Sequence, residues 1–300
     1  MGHLKIAHLS WRLLATIVVS YIFVLVLLPM GALLSNSMAG GWGGFLEDLS
    51  QPVARKALQL TFEVALIGAL VNGVFGLLTA YVLVRFEFPG KGLLNALVDL
   101  PFAIPTNVSG LMLLAVYGGG SPLGKVLEGL GLPLAYSIPG VVVAVILVTF
   151  PFTIRALQPL LEELDPDIEA AAYILGASRW KTFWKVTFPS LLPGVLSGVT
   201  LAFSRGLAEF GAVVVVAGNI PMKTQLAAVY IYGEMESYNA RGATSISIVL
   251  VAAAIVLLVL LNLVSSKQRL TIPRFGLLRK IFVKGEVKEH GNPVIPVQDR

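Results

Sequence analysis

Residues 58–84 read LQLTFEVALIGALVNGVFGLLTAYVLV, an apolar run in which Glu63 is the single charged side chain. A helix of about 20 mostly apolar residues is long enough to cross a hydrocarbon core roughly 30 Å thick. Of the 300 residues, 56% are hydrophobic and only 13% are charged, so lipid must cover much of the surface. We therefore expect a membrane protein and exclude a water-soluble enzyme.

Five further apolar runs predict an all-α protein with six transmembrane helices and both termini on one side. These runs are Leu13–Leu34, Leu94–Tyr117, Ile138–Leu157, Ser190–Ala217 and Ala243–Ser265. The first follows Lys5 and Arg12, as the core of a signal peptide would. It is longer than the usual signal core of about 7–15 residues, which favours a retained helix.

The distribution of Lys and Arg predicts the orientation of the chain. Of the 22 basic residues, 16 lie on the side of the termini, five lie on the other side, and Arg205 lies inside a span. Since basic loops stay in the cytoplasm, we expect a multi-pass protein of the cell (inner) membrane with both termini cytoplasmic. The basic residues form no single stripe with interleaved aromatics, which argues against binding of nucleic acid.

Composition divides the chain into three parts. Residues 1–54 hold the first span and an external loop, 55–266 hold five spans, and 267–300 form a tail with eight basic and three acidic residues. We expect this tail to be cytoplasmic and to contact anionic membrane lipid. We find no internal repeat, which argues against the inverted halves of many secondary transporters.

The loop formed by residues 158–189 carries the signals of two short helices. Asp165 can cap the first helix, Pro166 suits its first position, and Gly176 can end it. Ser178 can cap the second helix. That helix contains three aromatic residues, which fit either the membrane interface or a partner protein: Trp180, Phe183 and Trp184.

Residues 169–180, EAAAYILGASRW, with VTFP at 186–189, resemble the EAA loop of ABC-importer permeases. Counted back from Gly176, the glutamate of that motif falls on Ala170, and Glu169 stands one residue earlier. The chain thus departs from the motif at its most polar member. The resemblance assigns an ATPase-coupling role to Glu169, Ala170, Ala171, Ala172, Gly176, Ala177, Ser178, Val186 and Pro189.

The resemblance implies a type-1 ABC-importer permease fold and alternating access driven by other chains. Its partners would be cytoplasmic ATP-binding subunits, a second permease, identical or related, and an external solute-binding protein, and no cofactor is implied. Several stretches look like the sulfate and molybdate branch: 81–85, 88–91, 99–101, 206–212 and 218–221. The loop GNIPMKT at 218–224 is more similar to the loop of sulfate permeases than to that of molybdate permeases. The expected solute is sulfate or thiosulfate, with molybdate or tungstate as the alternative.

Charged residues within spans are candidates for the translocation path. Arg205 and Glu209 are four positions apart and can pair on one helix face. They form either an internal ion pair or a site at which Arg205 presents its charge to an anion and Glu209 tunes it. Asp99 is expected to lie at a helix end near the interface. Pro101 and Pro105 predict a kink in the third span.

Catalysis by this chain is unsupported. Residues 119–126, GGSPLGKV, approach a phosphate-binding loop, but Val126 stands where that motif needs Ser or Thr. There are no cysteines, the three histidines lie near the termini, and no cluster has metal-ligand spacing. The alternative from another class is a standalone secondary carrier or channel, which would move solute without ATP or a partner. A membrane enzyme is weaker still, since no polar constellation converges at either interface.

Overall fold

The computed structural model describes the backbone of residues 2–269 and the side chains of residue 11 and residues 13–260. Two compact units divide the chain, the first ending at Leu261 and the second beginning at Asn262. Of the second unit the structure describes only the last helical residues, up to Arg269. The predicted tail beyond Arg269 lies outside the described residues.

The described chain consists of helices and their connections. The helices are α1 (Gly2–Ile22), α2 (Leu28–Ser37), α3 (Gly41–Ser50), α4 (Pro52–Arg85), α5 (Lys91–Ala103), α6 (Thr106–Tyr117), α7 (Pro122–Gly129), α8 (Ile138–Glu163), α9 (Pro166–Ile174), α10 (Arg179–Thr182), α11 (Phe188–Leu207), α12 (Gly211–Ala217), α13 (Ala227–Glu236) and α14 (Ala240–Arg269). Two short π-helical segments, Phe23–Leu27 and Phe183–Thr187, join α1 to α2 and α10 to α11.

Five continuous helical stretches among the described residues are long and apolar enough to cross a membrane. The five are Leu13–Ser37, Pro52–Arg85, Ile138–Glu163, Arg179–Leu207 and Ala240–Leu260. The predicted third span consists of two helices, α5 and α6, bent by 115°, and it makes a sixth span when the two halves count as one. The predicted all-α, multi-span fold is therefore confirmed.

Close backbone packing joins α4, α8 and α11 into the central bundle. A Cβ atom added to Gly198 of α11 would lie 2.8 Å from Thr153 Cα of α8, so only glycine allows this approach. Lipid tails are as apolar as side chains, so helices in a membrane associate through close packing, and small residues let their backbones approach. Asn72 of α4 adds a polar link by donating to Thr149 Oγ1 (2.8 Å) and Ile146 O (3.2 Å) on α8.

The third span differs from its predicted form in one respect. The two prolines predict a kink, and the chain in fact breaks at Ile104–Pro105 into two helices. Pro105 O accepts from the backbone N–H of Val108 and Ser109, which starts α6 in its new direction.

The expectation that Asp99 ends a helix is wrong. Asp99 lies inside α5, where Arg155 on α8 neutralises its charge.

The fifth span also needs correction, because the predicted helix Ser190–Ala217 does not exist as one element. Helix α11 ends at Leu207, an irregular stretch follows, and α12 then packs against α6 and α8. The reason lies in the contact between the half-helices: a Cβ added to Gly211 would lie 2.9 Å from Asn107 N of α6. The chain turns at this point because the backbones of α6 and α12 approach each other closely.

The first span has little contact with the rest of the described chain. None of its most apolar window is buried, and its large side chains, such as Val19 and Tyr21, are mostly exposed. Beyond it, α3 is tied to α14 by the buried carboxylate of Asp48. That carboxylate pairs with Arg241 Nη2 (3.0 Å) and accepts from Ser245 Oγ (2.8 Å). An ion pair thus fixes the segment that follows the first span.

Candidate functional site

The first half of the loop at 158–189, which we name the coupling loop after the role that the resemblance implies, folds as its capping signals predict. Asp165 Oδ1 accepts from the backbone N–H of Asp167 (3.0 Å) and so caps α9. Gly176 then adopts φ +82°, a left-handed conformation that costs glycine little and other residues more. Ala177 N donates to Ala172 O (3.0 Å), which closes the turn. Helix α9 therefore ends in a defined bend at Gly176 and Ala177.

The second half does not form a separate short helix, and that part of the prediction is wrong. Ser178 Oγ caps α10 by accepting from Lys181 N (3.3 Å), as expected. However, α10, the π segment and α11 continue as one helix of 29 residues, Arg179–Leu207. A proline inside an α-helix lacks a backbone donor, and the π turn that contains Val186 ends at Thr187, two residues before Pro189. The coupling loop is thus continuous with a transmembrane helix.

Glu169 fixes α9 to the membrane helices. Its Oε1 accepts from Thr187 Oγ1 (2.7 Å) in the π segment and lies 3.8 Å from Arg85 Nη2 at the end of α4. Arg85 Nη2 also donates to Leu164 O (3.2 Å). The Arg85 and Glu169 side chains are 17% and 14% exposed, so the pair is shielded from solvent. Three separate segments therefore meet at one carboxylate.

Arg85 and Thr187 are partners that the sequence argument missed. Both lie in stretches that carry the resemblance, 81–85 and 186–189, but no chemical role was assigned to either. Glu169 stands one residue before the position of the motif glutamate and nevertheless makes an ion pair.

The bend presents an apolar surface away from the bundle. Ile174 and Leu175 are 86% and 87% exposed, and Trp180 is 72% exposed. Ala170 and Ala171 are also exposed, whereas Ala172 and Ala177 are half-buried. The exposed side chains surround the small residues of the bend.

The three aromatic residues of this region have different environments. Phe183 packs inward, with its ring centroid 5.8 Å from that of Tyr81. Trp184 contacts Phe188 at 4.9 Å, so it is held by the bundle on one side. Trp180 contacts the Trp184 ring at 5.5 Å between centroids but is otherwise the most exposed of the three. Its exposure is compatible with both readings of the aromatic residues.

Arg205 and Glu209 are brought together at the other end of the long helix. Arg205 Nη1 lies 2.8 Å from Glu209 Oε2, as their spacing predicts. Glu209 is not helical, however. It follows the end of α11, and its Oε1 accepts from Ala212 N (2.9 Å) in α12. The Glu209 side chain is fully buried, whereas Arg205 remains one third exposed. The geometry therefore combines an internal ion pair with a guanidinium that has an accessible face.

A second charged cluster within the spans, which we name the α5–α8 polar cluster, consists of Asn95, Asp99, Arg155 and Gln158. Arg155 Nε donates to Asp99 Oδ1 (2.7 Å), and Nη1 donates to Asn95 Oδ1 (3.0 Å) and to Gln158 Oε1. Gln158 Nε2 donates to Asn95 Oδ1 (3.1 Å). From the sequence, Arg155 was counted only among the basic residues on the side of the termini and no partner was predicted for it, yet the i, i+4 spacing of Asn95 and Asp99 was a usable signal.

The loop that approaches a phosphate-binding motif has a structural role here. Ser121 Oγ accepts from Gly124 N (2.8 Å) and caps α7. The carboxylate of Glu128 lies against Gly119, so the loop faces a negative charge that would repel phosphate. Among the described residues, no group of three His, Cys, Asp or Glu side chains has the arrangement of a metal site.

The sequence of this chain matches a known protein family and is similar to two named relatives over most of its length. Residues 72–274 match the family described as "Binding-protein-dependent transport system inner membrane component". The "Probable sulfate transport system permease protein cysT" of Chlorokybus atmophyticus is 44% identical over 88% of this chain and 91% of its own length. The "Sulfate transport system permease protein CysT" of Synechocystis sp. is 42% identical over 84% of this chain and 88% of its own length.

A solved structure shares the fold at low sequence identity. Its title is "Crystal structure of bacterial alginate ABC transporter in complex with alginate pentasaccharide-bound periplasmic protein". The similarity covers 88% of this chain and 96% of that chain, with a TM-score of 0.71 and 17% identity. At 17% identity, the match shows only that the two chains share the arrangement of helices.

Proposed function

Because the chain belongs to the family of binding-protein-dependent transport system inner membrane components, we propose that it is the permease subunit of an ATP-driven importer of sulfate or thiosulfate. The observation that carries the proposal is the high identity, over most of both chains, to relatives named as sulfate permeases. Molybdate and tungstate share the tetrahedral shape and the charge of sulfate. They remain the alternative solutes.

Cytoplasmic ATP-binding subunits would bind at the bend of the coupling loop. Apolar side chains such as Ile174 and Leu175 expose a surface that a partner would bury, and Gly176 and Ala177 offer close access at its centre. The bend is fixed on one side by Glu169 and continues on the other into α11. A movement of the ATPase pair would therefore reach the membrane helices directly.

The remaining partners follow from the same family membership. A second permease, identical or related, would enclose the solute path together with this chain. An external solute-binding protein would deliver the anion, as the solved alginate importer is described in complex with a periplasmic protein. The excess of basic residues on the side of the termini supports a cytoplasmic position for the coupling loop and for both termini.

Within the path, Arg205 is the candidate that meets the anion. Its accessible guanidinium offers several planar donors, which suit oxyanions. Glu209 would limit how tightly the anion is held, because binding in a path must be weak enough for release. The ion pair would also keep Arg205 neutralised within the membrane when no solute is present.

The decisive experiment is uptake of labelled sulfate by the complex reconstituted in vesicles with its binding protein. We expect uptake that requires ATP and that excess thiosulfate inhibits. Strong inhibition by trace molybdate, or no sulfate uptake, would support the molybdate or tungstate alternative. Uptake without ATP and without ATPase subunits would instead indicate a standalone carrier.

A further inference from the structure

The α5–α8 polar cluster is part of one continuous polar stripe. The polar side chains of α5 are Lys91, Asn95 and Asp99, which are spaced four apart and so share one face. Asp99 faces Arg155, and Asn95 faces Gln158, so α5 and α8 run in opposite directions. From Lys91 to Asp99 the stripe extends about 12 Å along the helix at 1.5 Å per residue. It runs from the end nearest the coupling loop towards the middle of the span.

This stripe lies on the surface of the chain and is not enclosed in its core. The Asp99 side chain is 51% exposed, and that of Arg155 is 31% exposed. A charged side chain within a span costs a few kcal/mol on insertion scales if it faces lipid, so such residues face water or protein instead. The face therefore has another neighbour in the assembled transporter.

An open cavity lies beside the stripe. It has a volume of about 450 Å³ and lies at the coupling-loop end of α4, α5 and α8. Its polar lining consists of Glu87, Lys91, Asn95, Gln158 and Glu162. An opening of that size has room for many waters. Asn95 and Gln158 belong to both the cavity wall and the polar cluster, so the Asp99–Arg155 ion pair lies beside the cavity.

We propose that the α5–α8 polar cluster lines the solute path on its coupling-loop side and that Arg155 contacts the anion there. This inference rests on the proposed function as an anion permease. It adds a second arginine and carboxylate pair to that of Arg205 and Glu209. Both pairs give the anion a positive contact in a part of the path that would otherwise be apolar.

The hydrogen bonds of Arg155 explain how such a contact works. All five of its N–H groups are engaged: one by Gln158, two by Asp99, and two by the side chain and backbone of Asn95. Arg155 is thus fully satisfied without solute. A dianion carries more charge than Asp99 and competes for the two Nη groups by bidentate binding. The nearby Asp99 carboxylate repels the bound dianion and so promotes its release.

The absence of cysteine from the sequence gives a clean test of water access. Asp99→Cys and Leu97→Cys are a matched pair, since both positions are about half exposed in this chain but lie on different faces of α5. A charged, membrane-impermeant thiol reagent is added to the vesicle face that carries the coupling loop, and labelling of this chain is measured by mass. We expect D99C to react at least about ten times faster than L97C, because only a hydrated thiolate reacts. Equal rates, or no labelling of D99C, would overturn the proposal and place a partner chain or lipid on this face.

A second experiment separates anion contact from helix packing. Replacing both charges, in the double variant D99L/R155L, removes the ion pair without leaving one charge unpaired. Labelled sulfate uptake by the assembled complex should fall at least about ten-fold, while R155K keeps part of the activity. Phe152→Leu is the control, because Phe152 packs against Phe102 (5.2 Å) between the same helices and carries no charge.

Normal uptake by the correctly assembled double variant would show that the pair only packs α5 against α8, and would overturn the proposal. Failure of the wild-type complex to take up sulfate would instead refute the proposed function. The two failures are therefore distinguishable.

Discussion

Removal of the Glu169 carboxylate should uncouple ATP hydrolysis from transport. Glu169→Ala deletes the hydrogen bond from Thr187 (2.7 Å) and the ion pair with Arg85 (3.8 Å). A hydrogen bond to a charged group contributes about 1.5–3 kcal/mol, and a shielded arginine left without its partner adds to the loss. With about 3 kcal/mol lost at 1.4 kcal/mol per factor of ten, the detached state of α9 should rise about a hundred-fold.

The assay measures ATP hydrolysis and sulfate uptake in the same reconstituted vesicles. We expect the ratio of sulfate taken up to ATP hydrolysed to fall in E169A, and hydrogen exchange to rise across residues 166–174. Glu169→Gln should have an intermediate effect, because it keeps an acceptor for Thr187 but loses the charge that faces Arg85. Asp167→Asn is the matched control, an exposed acid on the same helix that lacks the Arg85 contact. A wild-type ratio in E169A would refute the role assigned to Glu169.

Three further predictions follow from the coupling loop and the bundle. Reporters fused after Lys267 and within residues 158–189 should both register the cytoplasm, and an external signal from either would contradict the orientation drawn from the basic residues. Gly176→Val should uncouple ATP hydrolysis from transport, because φ at Gly176 is +82°, where a β-branched residue is strained. Gly120 has open space around it and no positive φ, so the Gly120→Val variant should transport normally. Equal uptake by the two variants would argue against the bend as the ATPase contact. Gly198→Ala should lower the thermal stability of the purified complex by about 1–3 kcal/mol through its clash with the α8 backbone, and an unchanged melting temperature would count against this packing.

Much of the fold was predictable because lipid imposes long apolar helices and because helix ends carry local signals. The cap at Asp165 and the stop at Gly176 depend on neighbours within a few residues, so the sequence contains the whole cause. The kink at Pro101 and Pro105 was predictable for the same reason. Its 115° angle was not, because it depends on what α6 packs against.

The errors share a physical origin in contacts between distant parts of the chain. The break after Leu207 arises where Gly211 meets α6, more than 100 residues earlier in sequence, and apolar composition cannot reveal that contact. Likewise, Arg155, the partner of Asp99, is 56 positions away on α8. Without that contact, the local sequence predicted that Asp99 ends a helix at the membrane interface. The Arg205 and Glu209 pair was predictable because it is local, even though Glu209 lies outside the helix.

In the proposed transporter, the continuous helix Arg179–Leu207 would act as a lever. Its 29 residues extend about 43 Å at 1.5 Å per residue, with the coupling bend at one end and Arg205 near the other. A tilt of about 5° about the bend would move the far end by about 4 Å over that length. Because α11 packs so closely against α8 that only glycine fits at Gly198, α4, α8 and α11 would tilt as one body. Such a tilt would bring the Arg205 guanidinium within reach of a solute or withdraw it.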